Sequence, residues 1–202
     1  MRLRGEPWVL VRQTMGSPRE FREKVRKLRT ALLEIVSEIR SLEARMKTVE
    51  AERKRYAASS RDVQAIQQVP GIGLLTATAL VAAVGSPKHF RDGRHLAAWM
   101  GLTPRHTGSG HRMHLGGISK RGDRYLRMLL IHGARSVLIR AQINAKAGRT
   151  LNRLQQWAMD LKQRSNHNKA TCALANKLAR IAWAVWAHGR DFDGNHAVAI
   201  AA

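Results

Sequence analysis

The sequence predicts an all-α fold: a long coiled-coil-like helix followed by a helix-hairpin-helix and a small helical bundle. Three observations carry that expectation. Apolar residues from Phe21 to Val49 keep a heptad spacing, the later apolar segments also recur at helical intervals, and no stretch alternates apolar and polar residues as a half-buried strand would.

Residues 1–17, with Gly5, Pro7 and Gly16 and no clear period, read as a loose lead-in. Ser17 and Pro18 begin the first helix, with serine at the cap, proline at the first helical position and Glu20 at capping-box spacing. Phe21, Val25, Leu28, Leu32, Ile35, Ile39, Leu42, Met46 and Val49 then follow at alternating intervals of four and three, the spacing of a coiled-coil seam. At about 1.5 Å per residue the seam is roughly 42 Å long. An apolar stripe of that length needs a covering helix. Self-association into a homo-oligomer is the simplest source, and folding back on the C-terminal helices is the alternative.

The helix is expected over 18–58, and Ala57–Arg61 (AASSR) marks a domain boundary. Beyond it a helical domain is expected over 61–190. Asp62 is placed to cap a short helix carrying Val63, Ile66 and Val69. Pro70 stops it, Gly71 and Gly73 turn the chain, and Leu74–Val84 forms a second helix of small residues. This reads as a helix-hairpin-helix whose PGIG turn exposes N–H groups that can hold a phosphate. The plainer reading of PGIG is a tight turn that lets two helices pack closely.

A short helix follows over Arg94–Met100, with Leu96, Trp99 and Met100 inward and Gly101 ending it. Asp123 caps the next, Arg124–Gln142, with Tyr125, Leu129, His132, Ser136 and Ile139 along one side. A further amphipathic helix surrounds Leu151, Leu154, Trp157, Ala158 and Leu161. The last, from about Lys169 to Ala187, is rich enough in apolar residues to be heavily buried. Residues 191–202 read as a disordered tail or read-through sequence.

Composition narrows the function. Lys and Arg number 36 against 14 Asp and Glu, a formal charge of +22. Such self-repulsion makes sense when a polyanion lies against the protein, and nucleic acid is the expected partner. Every Glu lies at or before Glu52, so the remainder is the basic part. No segment offers the roughly 18 apolar residues of a membrane span, and Met1–Val11 lacks the pattern of a secretory signal. A cytoplasmic, nucleoid-associated protein is expected. Cys172 is the only cysteine, which excludes an internal disulfide and a Cys-based zinc site, and it is expected to be ordinary core.

Between the third and fourth helices of the domain lies the stretch that carries chemistry, Gly101–Asp123, GLTPRHTGSGHRMHLGGISKRGD. It reads as a long polar, cationic, glycine-rich loop, and loops of this length are usually functional or disordered. Two-metal phosphoryl transfer needs several converging carboxylates, whereas Asp92, Asp123 and Asp160 are far apart in sequence. His106, His111 and His114 lack the cysteine or acidic company of a zinc site. Metal-free attack on a phosphodiester needs a hydroxyl, a proton acceptor and cations, and the loop offers all three kinds. Ser109 lies between Gly108 and Gly110, where bare backbone permits close approach, with Arg105, His106, His111, Arg112, Lys120 and Arg121 near in sequence and Arg124 just beyond. Ser119, before KRGD, is the competing hydroxyl.

Three blocks, IQQVPGIGLLTATALVAAVG, FRDGRHLAAWMGLTPRHTGSG and GISKRGDRYLRMLLIHGAR, resemble in order and spacing the C-terminal domain of the IS110/IS116 family of insertion-sequence transposases, over about Ala65 to Ala145. The long helix before them resembles the coiled coil that joins this domain to an N-terminal RuvC-like domain. The resemblance implies transposition by site-specific DNA recombination, with a loop serine as nucleophile, and by motif that serine is Ser109. It implies oligomers acting on DNA with a structured guide RNA, and Mg²⁺ held by an acidic tetrad of the RuvC-like domain. Residues 1–17 are not expected to replace that acidic domain. The chain is therefore expected to be a C-terminal part that holds no cofactor of its own and is inactive alone. The alternative expectation is a non-enzymatic helix-hairpin-helix nucleic-acid-binding protein.

Overall fold

A computed structural model describes residues 17–108 and 114–195. Seven α-helices and one two-stranded sheet are found among the described residues. The helices are α1 (Pro18–Ser59), α2 (Arg61–Gln67), α3 (Leu74–Val84), α4 (Gly93–Trp99), α5 (Arg124–Lys146), α6 (Arg153–Arg164) and α7 (His167–His188). Strands β1 (Pro104–Thr107) and β2 (His114–Ile118) pair antiparallel between α4 and α5. The fold is all-α, as the periodicities predict, with this hairpin as its one excursion. No described helix is long and apolar enough to cross a membrane.

The chain divides into two compact units, 1–52 and 53–202. In the first, α1 opens with the expected capping box: the Ser17 N–H donates to Glu20 Oε2 at 2.8 Å and the Glu20 N–H to Ser17 Oγ at 3.3 Å. The whole seam is exposed, from 41% at Phe21 to 62% at Met46.

In the second unit α7 is the central helix, packing against α2, α4, α5 and α6. Leu174, Ala175, Leu178, Ala179 and Ala182 are fully buried along it, meeting Val63 and Ile66 from α2, Leu96 from α4, Leu130 and Leu138 from α5, and Leu154 from α6 in one core. Short side chains on α7 let its neighbours approach closely. The turn between α2 and α3 closes onto α5 for the same reason. Gly71 has φ +82, and a Cβ there would meet the Gly133 carbonyl oxygen at 2.6 Å, while a Cβ on Gly133 would collide with the Gly71 carbonyl oxygen.

Several elements differ from expectation. The first helix runs through Ser59, and Ser60 rather than Asp62 caps α2, its hydroxyl accepting from the Val63 N–H at 3.3 Å. Asp62 sits in the first turn instead, where its charge still suits the helix dipole. On α5 the buried stripe is Leu126, Leu130, Ala134, Val137, Leu138 and Ala141, while Tyr125 and Ile139 are exposed. Gly133 decides this, because the face that closes on Gly71 has to be the bare one. Trp99 is 38% exposed rather than inward and meets Phe90 edge-on, with 5.5 Å between ring centroids. Residues 191–195 are not loose: Gln68 Nε2 donates to Asp191 Oδ1, the Phe192 N–H donates to Gln68 Oε1, both at 2.9 Å, and Phe192 packs on the core. The rest of the predicted tail, 196–202, lies outside the described residues.

Candidate functional site: a hairpin over a cationic groove

The predicted polar loop is a β-hairpin with pinned feet. Pro104 pairs with Ile118, His106 with Leu115 and Thr107 with His114, with an irregularity between Pro104 and His106. Below the strands, the Ser119 N–H donates to the Thr103 carbonyl at 2.8 Å and the Lys120 N–H to the Gly101 carbonyl at 3.1 Å. The two connections touch through bare backbone: a Cβ at Gly122 would collide with the Trp99 carbonyl oxygen, and one at Gly101 with the Arg121 carbonyl oxygen. Arg127 Nη1 donates to the Met100 carbonyl at 3.0 Å and so ties α5 to the same foot. Asp123 then caps α5 as expected, accepting from the Leu126 N–H at 2.8 Å. Lys120 takes a left-handed backbone, φ +56, unusual for a residue with a side chain.

Of the predicted site residues, Ser109, His111 and Arg112 lie outside the described residues, in the connection between β1 and β2. Arg105 and Lys120 are exposed and line a groove of about 1850 Å³ that runs from the hairpin along α7. Arg121 and Arg124 are exposed but do not line it. Gly71 is taken up in packing against α5, and Gly73 is exposed at the start of α3, with no side chain capping that helix. Ser119 is half-buried at the hairpin foot.

The groove brings in cations that the sequence reading missed. Arg94, Arg153, Lys169, Lys177, Arg180 and Arg190 join Arg105 and Lys120, against Asp92, Asp191 and Asp193 among its described lining residues. Their signal was present on α7: Lys169, Cys172, Asn176 and Arg180 recur at helical spacing on the side away from Leu174 and Leu178. Asn176 Nδ2 donates to the Leu102 carbonyl at 3.3 Å and fixes this face against the hairpin foot. Lys177 Nζ stands 4.0 Å from the centroid of the Trp157 ring, a cation–π contact. Burial, with Arg180 adding to it, holds the Lys177 ammonium below the usual lysine range. Cys172 is half-buried on the groove wall rather than in the core, and burial raises its thiol against the weaker opposing pull of Arg135 and Lys120. Asp92 caps α4, and the His95 N–H at 2.8 Å is the main cause that keeps its carboxyl below the usual range.

Among the described residues no three His, Cys, Asp or Glu side chains converge where a metal ion could be held. An Mg²⁺ site of the kind the family resemblance implies therefore does not fit the described part of this chain. What the groove offers is fixed positive charge with an aromatic wall, beside a hairpin whose tip connection contains a serine.

A helical domain carrying a hairpin over a cationic groove is the class of protein these elements define. Residues 63–149 match the model of the Transposase IS116/IS110/IS902 family. A probable family 20 transposase from Pseudomonas aeruginosa is 43% identical over 154 residues, 76% of this chain and 44% of the relative. The transposase for insertion sequence element IS1111A of Coxiella burnetii is 38% identical over 179 residues, 89% of this chain and 46% of the relative. A pilin gene-inverting protein of Moraxella bovis is 32% identical over 127 residues, 62% of this chain and 37% of the relative. The matched region thus takes in less than half the length of each of these relatives.

Proposed function

We propose that this chain is the C-terminal part of an insertion-sequence transposase, that it binds DNA along the α7 groove, and that Ser109 is the nucleophile of site-specific recombination. The observation that carries the reading is the groove itself. It sets Arg105 and Lys120 from the two sides of the hairpin beside the cations of α7, and a phosphodiester held there lies next to the strands that lead to Ser109. In the proposed step, Ser109 Oγ bonds to a DNA phosphorus as the bond from that phosphorus to a sugar oxygen breaks. The serine proton passes to a base, with His106 and His111 the nearest imidazoles in sequence, and the sugar oxygen leaves protonated. Arg105, Arg112, Lys120 and Arg121 offset the charge that builds on the phosphoryl oxygens.

The rest of the reading follows the family. A structured guide RNA shares the positive surface, a second copy covers the α1 seam as a coiled coil, and the protein resides on the nucleoid. Mg²⁺ chemistry belongs to a RuvC-like acidic domain, without which the module is inactive. Gly73, exposed at an uncapped helix start, keeps a phosphate contact of the helix-hairpin-helix type in the proposal, whereas the packing of Gly71 on Gly133 supports the plainer account of that turn.

The test is to combine the chain with a RuvC-like acidic domain, guide RNA and element-end DNA, and to trap covalent protein–DNA product under denaturing conditions. The wild type should give an adduct and Ser109→Ala none. An adduct that survives Ser109→Ala but not Ser119→Ala reassigns the nucleophile, and DNA binding without any adduct from the wild type favours the non-enzymatic reading.

A further inference from the structure

The seam of α1 carries more than a demand for cover, because the charges beside it specify direction. Its alternating spacing places Val25, Leu32, Ile39 and Met46 at the a positions of the heptad and Phe21, Leu28, Ile35, Leu42 and Val49 at the d positions. The e positions, one residue after each d, are Arg22, Arg29, Val36, Glu43 and Glu50. This series changes sign across Val36. The g positions, one residue before each a, include Lys24, Ala31, Glu38 and Arg45, with Glu52 next in the series.

In a parallel, in-register pair each g position meets the e position five residues further along the other copy. Lys24 then faces Arg29 and Glu38 faces Glu43, like charges in both cases, and only Arg45 with Glu50 attracts. Each contact occurs twice by symmetry. Reversing the second copy changes the balance. When Val25 packs on Val49, Leu32 on Leu42, Ile39 on Ile35 and Met46 on Leu28, every a residue from Val25 to Met46 meets a d residue, and e now faces e while g faces g. Arg22 meets Glu50, Arg29 meets Glu43 and Lys24 meets Glu52, each twice, and Val36 meets Val36. The one like-charge contact is Glu38 against itself at the centre.

Among the described residues the ion pair found on α1 joins Lys27 and Glu23, on the outer side of the helix, and includes none of these flanking side chains. Val36 is 41% exposed beside the seam. We infer that two copies of this chain pair through α1 in antiparallel orientation, about a two-fold axis at the level of Ser37. This rests on the self-association proposed above and adds its direction. At about 1.5 Å per residue the two Glu52 residues lie roughly 45 Å apart along the rod, so the two chains leave it from opposite ends.

Two measurements on the full chain, in a Cys172→Ser background that removes its only cysteine, test the orientation. On oxidation, V25C mixed with V49C should form a mixed disulfide, while V25C alone should stay unlinked. By sedimentation, R29E should weaken the dimer about tenfold, because it sets a carboxylate against Glu43 of the second copy, and E43R added to the same chain should restore it. In a parallel pair R29E would instead face Lys24 and tighten the dimer, and V25C alone would cross-link to itself. That outcome overturns the antiparallel pairing and leaves self-association standing. A wild-type chain that remains monomeric at every concentration, with full helical content, overturns both.

Discussion

A single methyl group is enough to separate α5 from the turn that precedes α3. At Gly133 an added Cβ would run into the Gly71 carbonyl oxygen, a backbone atom that cannot rotate away. Gly133→Ala should therefore cost about 1–3 kcal/mol through overpacking, a loss read as a lower midpoint in chemical denaturation. Alanine at the neighbouring exposed glycine, Gly73, meets nothing within 4 Å and should leave the midpoint nearly unchanged. Lys177 gives a second prediction at this scale. Its pKa is lowered by burial, and a phosphate in the groove favours the cation. Nucleic-acid affinity should be full below that lowered pKa and fall as pH rises through it. Titrating binding from about pH 8 to 10 in wild type and Lys177→Arg checks this, because the guanidinium keeps its charge and the variant should lose less affinity.

At the scale of elements, what could be read from sequence depended on whether an element buries a face. α1 and α3 were legible because the heptad spacing and the run of small, mostly apolar residues leave few alternatives, and Ser17 with Pro18 marks the start of α1, as Asp123 marks that of α5, in chemistry as well as in pattern. The hairpin was not legible. Arg105, His106, His114, Gly116 and Gly117 are exposed on both its faces, so no period of two appears in its hydropathy. The α7 groove face was hidden for a different reason: Lys169, Lys177 and Arg180 interrupt an apolar helix, and a count of apolar residues reads such interruptions as its wet side. Whether the wet side is a groove depends on Leu102, Arg105 and Trp157 arriving from other elements. Ser109 was singled out from its glycine neighbours and the family motif, and its standing rests on the adduct experiment.

For the whole molecule the governing quantity is charge. Thirty-six basic against fourteen acidic residues leave a net +22, and every glutamate falls by Glu52, so the 53–202 unit concentrates the positive charge. Binding to duplex DNA should then weaken steeply with salt, with a log–log slope of about −0.9 for each phosphate neutralised. Replacing Lys169 and Arg180 by Ala together should flatten the slope by about two and weaken binding alike on every sequence. A slope near zero in the wild type would contradict the groove reading altogether.

The pinned feet of the hairpin have a consequence for how this protein can change over time. The Ser119–Thr103 and Lys120–Gly101 hydrogen bonds close the chain on itself before the strands begin. The ends of the 109–113 connection are thus held by β1, β2 and the backbone contacts beneath them. Even doubling the length of such a connection adds only about 0.6 kcal/mol of closure entropy. Stability and chemistry therefore fall on different residues: Gly101, Gly122 and the backbone contacts around them hold the frame, whereas Ser109, His111 and Arg112, proposed above for the chemistry, belong to the connection it carries.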